Sequence, residues 1–288
     1  MTRMAGRPQA PPVATRRWSA GAWQEADDRL AAEEPLELLL DGGPLSILMR
    51  TPGNDVELAL GLLWAERVIL DLAQVREVAI SAESGELESQ IRLLPELLES
   101  NLVDVRMVAG PERLPRRSFV STSACGVCGA TTVESLALDF PPLPPGLTVD
   151  PSLLLDLAGR LRAEQRLFER TGGLHAAGLF EPGGELAVLR EHIGRHNAVD
   201  KVVGRALLDG LLPVNHHLLV VSGRGGYEIV QKAVAAGIPL VAAVGAPSSL
   251  AVATARHFGI TLVGFLRDGR FNVYSAGERL GGPAGPNR

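Results

Sequence analysis

The stretch LLVVSGRGGYEIVQKAVAAGIPLVAAVGAPSSLAVATARHFGITLVGFLR, residues 218–267, decides the fold. Leu218 to Val221 is a short, wholly apolar run of the kind that forms a strand buried on both faces. Ser222-Gly-Arg-Gly-Gly226 interrupts it, and Tyr227 to Ala236 reads as a helix closed by Gly237. A second buried strand (Ile238 to Val244), the loop Ala246-Pro-Ser-Ser249, a helix from about Ser248 and a strand from Thr261 to Arg267 follow. Such alternation argues for an α/β domain with a largely parallel sheet. The uncharged run Ala233 to Ala255, 23 residues long, would suffice for a membrane helix. Gly237, Pro239, Gly245 and Pro247 punctuate it, so the chain is read as soluble and cytoplasmic.

Upstream, the amphipathic pattern of Pro151 to Arg170 predicts one helix. Leu174 to Phe180 and Glu185 to Arg190 form a strand pair joined by Pro182-Gly-Gly184, and Asn197 to Leu211 is a helix with Asn197 as its cap. The first part of the chain has a different texture. Leu36 to Leu40, Asp41-Gly-Gly43 and Leu45 to Arg50 predict a β-hairpin. Asn54 with Glu57 makes a capping-box-like start to a helix through Val68, and three short strands follow between Val75 and Ala109. The predicted organisation is a flexible tail at 1–24, a small α+β domain at 25–115, an α/β domain at 116–277 and a tail at 278–288. The basic segment Arg113-Leu-Pro-Arg-Arg117 is the hinge, and Thr131 to Asp139 is a turn or two of helix. The first 24 residues carry four arginines, no acid and no apolar run, which excludes a secretory signal.

Composition narrows the function. With 46 % hydrophobic and 21 % charged residues the chain can build packed cores. Aromatic residues at 4 % and a net charge of −5 argue against a base-stacking or field-driven nucleic-acid binder, and against a membrane-surface protein. Two cysteines are too few for a disulfide scaffold.

Both cysteines lie in Cys125-Gly-Val-Cys128-Gly129. In a cytosolic protein this spacing means half a zinc site, a dithiol redox pair or a nucleophilic thiol with its helper. No second pair completes a zinc site. A zinc deaminase would need His-x-Glu, and the chain has none. The glycines after each sulfur leave room for a large ligand or another protein's cysteine, which favours a nucleophilic or sulfur-carrying role.

Around this pair the chain offers several anion-type loops. Arg190-Glu-His-Ile-Gly-Arg-His-Asn-Ala-Val-Asp-Lys201 crowds charges at a strand-to-helix junction, where Arg195 and His196 could grip a phosphate. Ser222-Gly-Arg224 opens a helix after a strand, the geometry that cradles phosphates on backbone N–H groups. Phe265-Leu-Arg-Asp-Gly-Arg270 ends the last strand in a turn with two arginines, suited to a carboxylate, a phosphate or a guanine edge. Thr171-Gly-Gly-Leu-His175 presents His175 on a glycine turn. Adjacent strand ends of this kind form the crevice where open α/β sheets bind ligands.

Together these segments resemble the formate dehydrogenase accessory sulfurtransferase family, FdhD. The resemblance runs from about Glu34 to Tyr274. It rests on the CGVCG motif, Thr171 to Ala177, Gly194 to Lys201, Ser222 to Arg224, Lys232 to Pro239, Ala246 to Ser249, Gly264 to Arg267 and Thr51 to Gly61. The chain departs from the family pattern at His192, usually an Asp, and at Gly226, usually a Ser or similar residue. The resemblance implies a cytidine deaminase-like three-layer sandwich without zinc or any intrinsic metal, and a homodimer. It implies a carrier that accepts persulfide sulfur from a cysteine desulfurase and passes it to the molybdenum cofactor of formate dehydrogenase. Cys125 would hold the persulfide and Cys128 would assist. The cargo, the molybdenum bis-molybdopterin guanine dinucleotide, would lie against Phe265, Leu266, Arg267, Asp268, Gly269, Arg270, Arg195, His196, Ser222 and Arg224. The runner-up is a chaperone that binds the same cofactor and carries no sulfur.

Overall fold

The computed structural model describes residues 8–80, 91–93, 101–111, 120–121 and 140–281. Cys125, Cys128, the hinge at Arg113 to Arg117 and the helix expected at Thr131 to Asp139 lie outside them.

The second half of the chain forms a six-stranded sheet. Its strands are β9 (His175–Phe180), β10 (Leu186–His192), β11 (Leu218–Val221), β12 (Leu240–Ala243), β13 (Thr261–Arg267) and β14 (Arg270–Ser275), in the order β10-β9-β11-β12-β13-β14. Only β11/β12 and β12/β13 pair in parallel; β9 and β14 join antiparallel, so the sheet is mixed rather than largely parallel. The difference arises because β9/β10 and β13/β14 are hairpins, whose short turns can only reverse the chain. Helix α2 (Pro151–Glu164) buries Leu154, Leu157 and Leu161 on one face of this sheet. Helices α4 (Arg195–Leu208), α5 (Tyr227–Ala236) and α6 (Ser249–Phe258) cover the other. The result is the expected three-layer α/β sandwich.

The single helix expected at Pro151 to Arg170 breaks at Gln165 (ψ 71°), and a short helix, α3 (Arg166–Thr171), restarts after it. Glu191 on β10 explains the restart, because its carboxylate accepts the N–H groups of Leu167 (2.8 Å) and Phe168 (2.7 Å).

The first half builds a second six-stranded sheet in the order β6-β5-β7-β3-β4-β8. Strands β3 (Glu34–Leu40) and β4 (Gly43–Arg50) are the expected hairpin. Asp41 and Gly42 at its tip both have positive φ, the conformation a two-residue turn requires. The remaining strands are β5 (Val75–Ile80), β6 (Ile91–Leu93), β7 (Leu102–Met107) and β8 (Val120–Ser121). Helix α1 (Asp55–Ala65) lies under them. Asn54 makes no side-chain cap; Glu57 turns away from the helix start to pair with Arg190.

Three expected boundaries change. Within the predicted tail, β1 (Pro12–Ser19) pairs with β2 (Ala22–Arg29) as an exposed ribbon, zipped by Trp18 against Trp23 and by Arg16 against Glu25. Cross-strand pairs of this kind stabilise a ribbon that no hydrophobic period announces. β8 pairs with β4, so the chain is still on the first sheet at Ser121, beyond the expected boundary at 116. At the other end, the buried Arg279 donates to the carbonyls of Gly259 and Pro144, and Leu280 bridges to Val149.

The two halves meet through α1 and α4, which touch backbone to backbone. A Cβ at Gly61 would stand 1.9 Å from the carbonyl oxygen of Asp200, and one at Gly204 1.9 Å from that of Glu57. Gly204→Ala should therefore push the helices apart and lower stability by about 1–3 kcal/mol. The expected result is a lower urea midpoint with unchanged slope; an unchanged midpoint would refute the close crossing.

Candidate functional site

The crowded segment Arg190 to Lys201 divides its charges among separate tasks. Arg190 forms a two-pronged bond to Glu57, with Nε–Oε2 at 2.5 Å and Nη2–Oε1 at 2.6 Å. Glu191 holds the start of α3. His192 is fully buried: the N–H of Gly194 donates to its Nδ1 (2.8 Å), and the Thr51 nitrogen lies 3.2 Å from its Nε2. Burial, with Lys201 and His196 nearby, pushes this imidazole well below its ordinary value and keeps it neutral. Asn197, expected as the helix cap, sits inside α4 and donates to the Met49 carbonyl; the cap position belongs to Gly194. Lys201 donates to the carbonyls of Thr51 (3.1 Å) and Gly53 (2.5 Å), and Asp200 pairs with Lys232 of α5 (2.5 Å). Thr51 completes the clasp, its Oγ1 accepting from Ile193 N–H. Most of this segment thus fastens the second sheet to the first.

Arg195 is the exception. It reaches from the first turn of α4 into a crevice at the C-terminal ends of β11, β12 and β13. One part of this crevice, about 350 Å³, is lined by His175, Arg195, Ser222, Gly223, Arg224, Val244, Gly245 and Arg267. It shares His175, Ser222, Val244 and Arg267 with a deeper part of about 610 Å³, which runs between α2, α3 and the sheet past Leu161, Phe168 and Leu174. Arg162 lies over the Phe168 ring there, 4.8 Å from its centroid.

The backbone at the strand ends is drawn tight. Gly245 N–H donates to Gly223 O and Phe265 N–H to Gly245 O, tying three strand ends in a row. A Cβ at Gly223 would come within 3.2 Å of His175 Nδ1, so glycine here lets the imidazole lie against the loop. Ser222 is a brace: its N–H donates to Ala176 O and its Oγ accepts from Ala176 N–H. A Cβ at Gly226 would meet nothing within 4 Å, so a serine or similar residue, as the resemblance led one to expect, would fit the same backbone.

Among the described residues no carboxylate pairs with Arg195 or Arg224, and no acid lines either part of the crevice. Arg267 is half exposed, and its nearest acid is Asp268 at 3.9 Å. His175 makes no hydrogen bond among the described residues. Burial, then Arg195 and Arg224, push its imidazole below the ordinary histidine value. Cationic groups left unpaired beside a concave, partly apolar surface are a binding site for an anion attached to a ring or other apolar body.

Of the residues expected to touch a ligand, Arg195, Ser222, Arg224, Leu266 and Arg267 converge here. His196 does not: its Nδ1 faces Glu228 of α5 at 3.2 Å. Phe265 has a positive φ (55°) at a bulge in the β13/β14 pairing and lies behind Arg267. Asp268, Gly269 and Arg270 form the exposed hairpin tip. The α2–α3 wall was missed altogether, because an amphipathic helix pattern does not reveal that a cavity opens beside it. His175 was visible as a lone histidine on a glycine turn, and only the fold gives it neighbours.

Comparison with known proteins agrees with this architecture. A 48 % identical sulfur carrier protein FdhD of Anaeromyxobacter dehalogenans aligns over 266 residues, 88 % of this chain and 89 % of that one. The sulfur carrier protein FdhD of Streptomyces coelicolor is 46 % identical over 270 residues, covering 90 % and 92 %. A solved structure from Desulfotalea psychrophila, described as a formate dehydrogenase accessory protein, superposes with a TM-score of 0.72 at 26 % identity. That match covers 95 % of this chain and all of the other. No helix among the described residues is long and apolar enough to cross a membrane. The FdhD/NarQ family profile matches residues 31–281, and the chain belongs to that family.

Proposed function

We propose that this protein is a sulfur carrier that serves the maturation of formate dehydrogenase, as the names of its relatives indicate for them. In this reading Cys125 receives sulfur from a cysteine desulfurase. Its thiolate attacks the outer sulfur of the desulfurase persulfide; the new S–S bond forms as the old one breaks, and the desulfurase leaves as thiolate. Attack of the Cys128 thiolate on the inner Cys125 sulfur then frees hydrosulfide for the metal and leaves a disulfide, which a dithiol reductant must reopen. The cargo is the molybdenum bis-molybdopterin guanine dinucleotide, whose diphosphates would meet Arg195, Arg224 and Arg267 while a ring enters the apolar crevice.

The observation that carries this reading is the pair of guanidinium groups, Arg195 and Arg224, facing an acid-free crevice without a partner among the described residues. A second observation supports it. β8 lies parallel to β4, with Val120 beside Ile47 and Ser121 beside Leu48. The strand therefore runs in the direction of Thr51, which meets His192 at the end of β10 and Ile193 before α4, and in sequence Cys125 follows Ser121 by four positions.

Arg195→Ala and Arg224→Ala should each weaken binding of a guanine dinucleotide by roughly ten- to a hundredfold, as expected for one charge-assisted hydrogen bond. Isothermal calorimetry measures this directly. Unchanged affinity in both variants would overturn the reading of the crevice.

A further inference from the structure

His175 sits where an anion would be held, yet at neutral pH it brings no positive charge of its own. It lines both parts of the crevice and makes no hydrogen bond among the described residues. The charged and titratable groups facing it come from several elements. Arg195 projects from α4, Arg224 from the loop after β11 and Arg267 from the end of β13, with Arg162 of α2 further along the same cavity. His192, its partner across the β9/β10 pairing, is turned to Thr51 and Gly194. The surroundings are thus cationic or neutral, with no acid among the described lining residues.

We propose that His175 joins Arg195 and Arg224 in gripping the anion and takes up a proton as it does so, which couples filling of the crevice to protonation of one imidazole. This rests on the crevice being the anion site described above. In the empty crevice burial and the two arginines oppose a charged imidazole. An anion between the arginines reverses the sign of the local field and offers the ring an acceptor, so the charged form becomes the favoured one. The bound state then holds more protons than the free state, and by linkage affinity must rise as pH falls between the two imidazole values. The same imidazolium N–H is a third donor beside the two guanidinium groups.

The test is calorimetry with diguanosine diphosphate, whose diester phosphates keep their charge near neutrality. It is done on the full chain carrying Cys125→Ala and Cys128→Ala, which removes thiol titration. Repeating the titration in buffers of different ionisation enthalpy counts the protons exchanged. We expect uptake of up to about one proton per ligand, and an affinity that rises by at most about tenfold per pH unit as pH falls from roughly 7.5 to 6. His175→Gln keeps a hydrogen-bonding side chain that cannot titrate, and should abolish both effects while still binding ligand. Binding without proton uptake, or uptake that persists in His175→Gln, would overturn the proposal and leave the anion site standing. Failure of the parent chain to bind would remove the anion site, and this proposal with it.

Discussion

Cys125→Ala is expected to abolish sulfur loading outright. After incubation with a cysteine desulfurase and cysteine, the native chain should gain about 32 Da, one sulfur atom, and the variant should gain none. Cys128→Ala should still gain it but fail to pass it on, because release of the sulfur needs a second thiol to attack the first. Intact-protein mass spectrometry reads the loading, and formate dehydrogenase activity in cells reads the delivery. Calorimetry with the guanine dinucleotide should find the binding of both variants unchanged, since the described lining residues that grip the anion are arginines elsewhere in the chain. A normal adduct on Cys125→Ala would assign the carrier role elsewhere. Full maturation of formate dehydrogenase by the double alanine variant would favour a cofactor chaperone that carries no sulfur.

The second large effect concerns stability. Lys232 and Asp200 are both 1 % exposed and meet at 2.5 Å where α5 crosses α4. Lys232→Ala removes the ammonium and leaves a carboxylate in a site that water does not reach. Breaking such a pair from one side costs about 3–5 kcal/mol. Replacing both partners at once, with Lys232→Met and Asp200→Leu, should restore much of the loss, because the penalty belongs to the uncompensated charge. Chemical denaturation of the three variants decides it. A single variant as stable as the parent would refute the assignment of this pair as a stabilising contact.

The two predictions draw on features of unequal legibility. Strands β11 to β13 were plain in the sequence because β11 and β12 are fully buried and β13 is buried over most of its length, and continuous apolar runs between glycine or proline breaks have few other readings. The loops after β11 and at the end of β13 were legible for the same reason, which is why Ser222, Arg224 and Arg267 could be expected at strand ends, and Arg195 at the junction that follows β10. The errors have a common cause in long-range partners. Asn54 and Asn197 look like helix caps locally, but α1 begins without a side-chain cap, and α4 starts two residues before Asn197, whose side chain donates to Met49. The break at Gln165 depends on Glu191, 26 positions away. His196 follows Arg195 directly, yet one helical position rotates it toward Glu228. In each case the local pattern permitted two outcomes, and a contact distant in sequence chose between them.

The backbone contact of α1 with α4 has a consequence for how the protein can be cut or rebuilt. Each half carries a sheet and would seem to be a module, but the helix that supplies Arg195 has its small-residue flank pressed on the other half. Separated, the C-terminal piece would present Gly204 and the neighbouring apolar surface of α4 to water, along with Lys201 stripped of its carbonyl partners. The strand leading to the dithiol and the helix bearing the cationic crevice therefore share one frame of reference. Circular permutation at an outer turn should be tolerated, whereas transplanting either half onto a foreign partner should not.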